Sequence, residues 1–458
     1  MKETTTPSQT AAAAEHELMS SMKVSKAVAK MAIPSVISSL VTVVYNMADT
    51  FFVGQTGDAL QVAAVGLTNP IFILLMAFAN MFGMGGSAIA SMALGEKNEK
   101  RTKNTSAFIT YGSFFVGILF MLVLYLFMNP ILHLFGANAQ TYELAKGYTF
   151  HIAYGAPFVI WSAASSFVVR AEGASKEAMI GSMIGTIANI VLDPIFISGL
   201  RMGAAGAAIA TTIGNMLASL YFFWYFLKKS NVFSIHPKYF TFQNHILTGV
   251  CFTGLPTAIF SVLMSVSMII LNQILVSYGN APVAAIGIVF KANMFVIFLQ
   301  MGLANGVQPL LGYNYGAGNQ KRFMDVDHFT KKCCIIIGVL STAAFFVFRE
   351  PVIRMFISDS DVVYYGVKML VGYILSGPFI GILFANMNCL QSTNNAAYAT
   401  ILSVLRQGLL FIPLLYLLNA LFGVNGVAFG QSLTDGITVI LSIIFWNIKK
   451  SSLKKEQL

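Results

Sequence analysis

Five ionisable residues stand inside long apolar stretches of this chain: Asp49 and Asp193 in its first half, Lys291, Arg406 and Asp435 in its second. A charge at bilayer depth is expensive and normally faces a cavity or a partner. Asn189 precedes Asp193 by four residues, which puts amide and carboxylate on one helix face. Thr211 and Thr212 offer hydroxyls from the next apolar stretch. Two carboxylates, an amide and a hydroxyl in a dry pocket suit a proton or a sodium ion. Desolvation and like-charge repulsion favour proton uptake, and the same oxygens are hard ligands for a metal cation. The structural alternative makes Asp49 an interfacial carboxylate and Asp193, before Pro194, a turn cap. Lys291, Arg406 and Asp435 read as a mutually neutralising network, with substrate contact or coupling as the alternative. Tyr45, Asn46, Phe158, Trp161, Gln273, Asn293 and Gln300 are candidates for lining a cavity, each with ordinary helix packing as its rival role. Pro34 removes a helix hydrogen bond upstream of Asp49, and we expect a hinge there whose bend follows the state of that carboxylate.

These residues need a membrane scaffold. The chain is 56% hydrophobic and 10% charged, against about 25% charged in soluble proteins. Its 458 residues leave room for about a dozen spans. Apolar runs lie near 27–53, 61–94, 105–128, 139–169, 177–200 and 204–227, then near 245–278, 282–314, 330–348, 360–390, 396–420 and 424–448. The halves repeat. Val62–Gly66 returns as Val283–Gly287, Gly85 as Gly306, Lys100-Arg101 as Lys321-Arg322, Pro157-Phe158 as Pro378-Phe379, and Gly203 and Gly206 as Gly423 and Gly426. With six spans per half, the second copy enters from the same side as the first, so the repeats are parallel.

The net charge of +10 is not a nucleic-acid signature, because the basic residues fill short breaks between apolar runs. Of 28 basic residues, 21 fall on one side of the twelve-span topology. By the positive-inside rule both termini are cytoplasmic. The expected units are a polar tail over 1–22, a first lobe over 23–228, a cytoplasmic linker over 229–244, a second lobe over 245–448 and a basic tail over 449–458. No cleaved signal peptide is expected. Cys251, Cys333, Cys334 and Cys389 have neither disulfide-framework nor metal-ligand spacing. The six histidines are scattered, so no enzyme, cofactor or resident metal is expected.

The chain resembles the multidrug and toxic compound extrusion (MATE) family over about 25–448. The resemblance rests on Tyr45-Asn46-Met47-Ala48-Asp49-Thr50, Arg170-Ala171-Glu172-Gly173, Asn189-Ile190-Val191-Leu192-Asp193-Pro194 and Gly312-Tyr313-Asn314-Tyr315-Gly316-Ala317. The last motif, with Arg406-Gln407 and Pro413, looks most like the DinF-type branch of MepA-like bacterial pumps. The resemblance implies an all-α integral membrane protein whose two parallel six-helix lobes form a V around a central cavity. It implies a monomer in the bacterial plasma membrane that exports lipophilic organic cations and related drugs in exchange for inward H+ or Na+. It makes Asp49, Asn189, Asp193 and Thr211 the cation site and Pro34 the bend. A second branch carries acidic coupling residues in spans seven and ten, where this chain has none. Gln391-Ser392-Thr393-Asn394 lacks the glycine of its first-half counterpart, so the two loops need not be equivalent. A flippase for a lipid-linked saccharide precursor, from the same superfamily, is the alternative; it would call for a strongly basic cavity.

Overall fold

The computed structural model describes residues 15–54, 59–230, 232–243 and 245–455. Each apolar run is helical, because a backbone in lipid must satisfy its N–H and C=O groups internally. A short helix α1 (residues 15–20) precedes α2 (Val24–Gly54), α3 (Ala59–Gly95), α4 (Glu99–Leu126), α5 (Met128–Leu134), α6 (Tyr142–Ala171), α7 (Ser175–Asp193) and α8 (Gly203–Lys228). The second half holds α9 (Ile246–Val276), α10 (Asn280–Gly316), α11 (Gln320–Val347), α12 (Arg349–Arg354), α13 (Ser360–Ile374), α14 (Gly377–Ser392), α15 (Ala396–Val404) and α16 (Phe411–Lys455). Among the described residues ten helical runs are long and apolar enough to cross a membrane. The pair α13 and α14, bent by 46°, supplies another span. The twelfth appears because α16 is two helices joined at Gly423.

Two spans start earlier than their apolar residues suggest. Asn98 and Asn319 accept hydrogen bonds from the backbone N–H of Arg101 (3.0 Å) and Arg322 (3.1 Å), capping α4 and α11. A side-chain oxygen satisfies an otherwise orphaned donor there, so the charged turns 99–104 and 320–329 belong to the helices. The last helix likewise runs on to Lys455.

The sequence repeat is visible in the backbone. Gly203 and Gly423 both hold a left-handed φ, +55° and +58°, where the last span of each half begins; only glycine adopts that conformation without a Cβ penalty. Gly173 (φ +100°) and Asn394 (φ +57°) also correspond. The missing glycine therefore does not change the sign of the turn, since asparagine is the side chain most tolerant of the left-handed region.

Repeat-related residues also meet each other. A Cβ on Gly95 would lie 2.0 Å from the Tyr313 carbonyl oxygen, and one on Gly316 would lie 2.1 Å from that of Met92. A Cβ on Gly312 would press on Ser91 Oγ at 2.2 Å. The ends of α3 and α10 thus cross on the pseudo-two-fold axis. Gly85 closes against Val250 of α9, and its repeat partner Gly306 closes against Met31, Ala32 and Ser35 of α2. Such small residues let membrane helices approach closely.

All of these close approaches lie in the half of the molecule nearest Glu15 and Lys455. There α10 is buried almost all round from Gly302 to Asn314, and α3 from Phe82 to Ala93. Beyond Ser35, only Val43 of the described α2 side chains is fully buried. The lobes are sealed at the end carrying the chain's outermost described residues and part toward the other, as a V.

A core shared by both lobes lies under the seal and includes Leu18, Met19, Met31, Leu310, Tyr313, Phe323 and Trp446. The segment after α1 belongs to it. Arg322 donates to the carbonyls of Met19 and Leu18, and Asn314 donates to that of Met19, each at 3.1 Å. Leu18 also lies over Gly173 of the first lobe. The described end of the stretch read as a polar tail, residues 15–22, therefore straps the two lobes together. The connection between the lobes is packed as well: Phe233 and Ile235 are buried, and Tyr111 donates to the Ile235 carbonyl at 2.8 Å.

Candidate cation site and interlobe cavity

Asp193 is fully buried, and Asn189 and Thr211 are nearly so. Asp193 ends α7, and Pro194 opens a π-helical turn, Pro194–Gly199. Such turns rearrange the local helix ladder and are frequent at functional sites. One face of α7 presents Asn189 and Asp193 toward α8. The Asn189 amide satisfies its neighbours best with Nδ2 donating to Asp193 Oδ2 at 3.0 Å. Its Oδ1 then accepts from Thr211 Oγ1 (3.0 Å) and from the Thr211 backbone N–H (2.8 Å). Tyr45 of α2 lies 3.3 Å from Thr211 Oγ1 through its hydroxyl. Side chains from three helices are therefore joined in one line.

That amide orientation suits an ionised Asp193, which only accepts. The opposite orientation leaves Nδ2 donating to Thr211 Oγ1 at 3.0 Å and turns the amide oxygen toward the carboxylate. It suits a protonated Asp193 or a cation held between the two oxygens. The donor set, a carboxylate, an amide oxygen and two hydroxyls, fits a proton or a hard cation. Asp49 lies in α2, but its side chain is outside the described residues. Thr212 turns away and donates to the His151 carbonyl at 3.0 Å.

In the second lobe Arg406 and Asp435 pair at 2.7 Å, with side chains only 2% and 3% exposed. Gln431 and Ser376 each donate to Asp435 at 2.9 Å. Arg406 sits in a second π-helical turn, Leu405–Leu409, with its guanidinium 5.2 Å from the Phe260 ring and 5.5 Å from that of Phe384. Lys291 takes no part: it is exposed and makes no ion pair with either residue.

The candidate lining residues divide. Gln273 is exposed, and Tyr45, Asn46 and Phe158 are half-buried. Phe158 meets Phe114 edge-on at 6.0 Å between ring centres. Trp161, Asn293 and Gln300 are buried. Trp161 packs into the first-lobe core, and Gln300 donates to the Gly377 carbonyl at 2.8 Å. Sequence reading also missed a buried acid, Asp327. It pairs with Lys331 at 2.7 Å and accepts from Trp446 Nε1 at 3.1 Å and Cys389 Sγ at 3.2 Å. The i, i+4 spacing of Asp327 and Lys331 was the available signal, hidden because those turns were assigned to a loop.

The MatE family model matches this chain twice, over residues 34–195 and 256–417. The chain belongs to the MATE family. It is 33% identical over 423 residues to the multidrug export protein MepA of Staphylococcus saprophyticus, covering 92% of each chain. It is 34% identical to MepA of Staphylococcus aureus over the same length and coverage. Among solved structures, MATE in complex with MaL6 superposes with a TM-score of 0.92 at 24% identity, covering 96% of this chain and 99% of that one. An outward-facing multidrug resistance MATE transporter of the MOP superfamily superposes with a TM-score of 0.88 at 24% identity, covering 96% and 98%. The two family matches start and stop at equivalent points of the two lobes. The MATE fold thus accounts for the V, and the protein is a multi-pass membrane transporter rather than an enzyme.

Proposed function

We propose that this MATE protein is a multidrug efflux antiporter that exports amphiphilic drugs, organic cations among them, against an inward flow of H+ or Na+. The observation that carries this reading is the hydrogen-bonded line from Asp193 through Asn189 and Thr211 to Tyr45. It links a sequestered carboxylate to α2, the helix that packs on the other lobe. Loading a cation at Asp193 reverses the preferred Asn189 orientation, alters what Thr211 offers Tyr45, and so biases α2. Asp49, on the same helix, is the second carboxylate of the site. Pro34 marks the boundary between the buried foot of α2 and its looser remainder, so a bend there moves the upper helix while the foot stays packed. Aromatic faces attract organic cations, and Met side chains adapt to varied shapes. Basic residues concentrated at the sealed end support cytoplasmic termini by the positive-inside rule, an orientation in which the V opens outward. Each charge moved across 100 mV supplies about 2.3 kcal/mol.

The flippase alternative is weakened because Asp435 neutralises Arg406, which leaves no strongly basic cavity among the described residues. The test is ethidium efflux from loaded cells, comparing the unaltered protein with Asp49→Asn and Asp193→Asn under separate proton and sodium gradients. Gradient-driven efflux lost in both variants, with the proteins present in the membrane, is the expected result and identifies the ion. Efflux that persists in both would remove coupling from the first lobe.

A further inference from the structure

Lys291 is a charged residue of the apolar runs to which the site geometry assigns no partner among the described residues. It lies about three turns into α10 and forms no hydrogen bond or ion pair among the described residues. Its direction follows from helix phase. Gly302 meets Val36 and Ser39 of α2, and Gly306 meets Ala32 and Ser35. At 3.6 residues per turn Lys291 points within about 20° of Gly302, toward the first lobe. The other side of α10, with Ala285, Ile286, Val289 and Ala292, is buried in the second-lobe core. Lys291 thus continues the interlobe stripe past the seal to where the lobes have parted, and its exposed ammonium faces the cavity. A lysine at this depth aimed into lipid would carry a heavy penalty.

Its level in the membrane follows from register. α2 and α10 run antiparallel, with Gly306 against Ala32 and Gly302 against Val36 and Ser39. Three further turns along α10 bring Lys291 level with the turn of α2 that carries Asn46 and Asp49. The lysine on the second lobe therefore stands across the cavity from the turn of α2 that carries Asn46. Asp435 cannot serve as its counter-ion because Arg406 holds it, and Asp193 is enclosed behind Asn189 and Thr211.

We propose that Lys291 sets substrate specificity by receiving the anionic group of a zwitterionic amphiphile, whose cationic end faces the first lobe. A fixed cation in a confined, poorly hydrated cavity attracts a carboxylate more strongly than it would in water. A fixed cation on one lobe orients a dipolar substrate, and the same field repels a simple cation. This inference rests on the transport reading above.

The test measures equilibrium binding of two dyes to the purified full-length protein by fluorescence polarisation. Rhodamine B carries a free carboxylate, and its ethyl ester is the same cation without one. The unaltered protein binds both. Lys291→Met weakens rhodamine B by ~10-fold or more, as expected when one partner of a hydrogen-bonded charge pair is removed, and does not weaken the ester. Lys291→Arg retains the zwitterion. Lys291→Gln serves as the neutral variant if methionine prevents folding, judged by monodispersity. Equal weakening of both dyes, no change in either, or binding of the ester alone by the unaltered protein would overturn the assignment while sparing the transport reading. Failure of the folded, unaltered protein to bind either dye would overturn both.

Discussion

Replacing Gly85 by alanine probes the seal between the lobes. The added Cβ would lie 2.0 Å from the Val250 carbonyl oxygen and 2.7 Å from the Gly254 backbone nitrogen. An ordinary contact begins at 3.4 Å, so α3 and α9 must separate by roughly 1.4 Å at this point. The obstacle is backbone on a packed helix, which no rotamer change relieves. Overpacking of this kind costs about 1–3 kcal/mol. Because the contact exists only where the lobes are closed together, that cost falls on the state in which this end is sealed. A change of 1–3 kcal/mol alters a two-state ratio by about 5- to 150-fold. Spin labels near the Gly95 end of α3 and the Ile246 end of α9, read by pulsed electron resonance, report the lobe separation there. Gly85→Ala should populate a longer distance at the expense of the shorter. The control is Gly66→Ala on the same helix, where a Cβ meets nothing within 4 Å; it should leave the distribution unchanged. Identical distributions in both variants would refute the reasoning that this contact holds the seal.

Asp435→Asn leaves Arg406 buried without its counter-ion, a loss of ~3–5 kcal/mol. It should lower the Tm in detergent, and Arg406→Met with Asp435→Leu should recover most of the loss; a single variant as stable as the unaltered protein would contradict the pairing. Burial, with Glu172 and Glu177 nearby, raises Glu15 from its usual 4.5 to about 8. The docked strap therefore binds a proton that the free segment has released across that window, so docking weakens as pH rises from 4.5 to about 8 and falls no further above it. Proteolytic nicking near Leu18 should accelerate over that range in the unaltered protein and be independent of pH in Glu15→Gln; a flat profile in both would refute the linkage.

Much of this architecture was legible in the residues. Apolar runs of spanning length have no folded option in lipid but helix, so twelve spans followed from composition and their breaks. An even number of spans per repeat made the halves parallel, and the paired glycines 85 and 306 marked equivalent close approaches before their partners were known. Asn189 and Asp193 shared a face by spacing alone, with no tertiary information. Other features required the fold. Arg406 and Asp435 come from different spans, and only packing decides that they pair without Lys291. Trp161 packs into the first-lobe core, which its own sequence neighbourhood did not reveal. Asp327 finds Trp446 on a helix more than a hundred residues away, and Leu18 and Met19 find a groove that exists only once the lobes have closed. The reason is common to all of them. A span apolar on every side carries little periodic signal for which face meets protein, lipid or water, and its rotation is set by the helices packed around it.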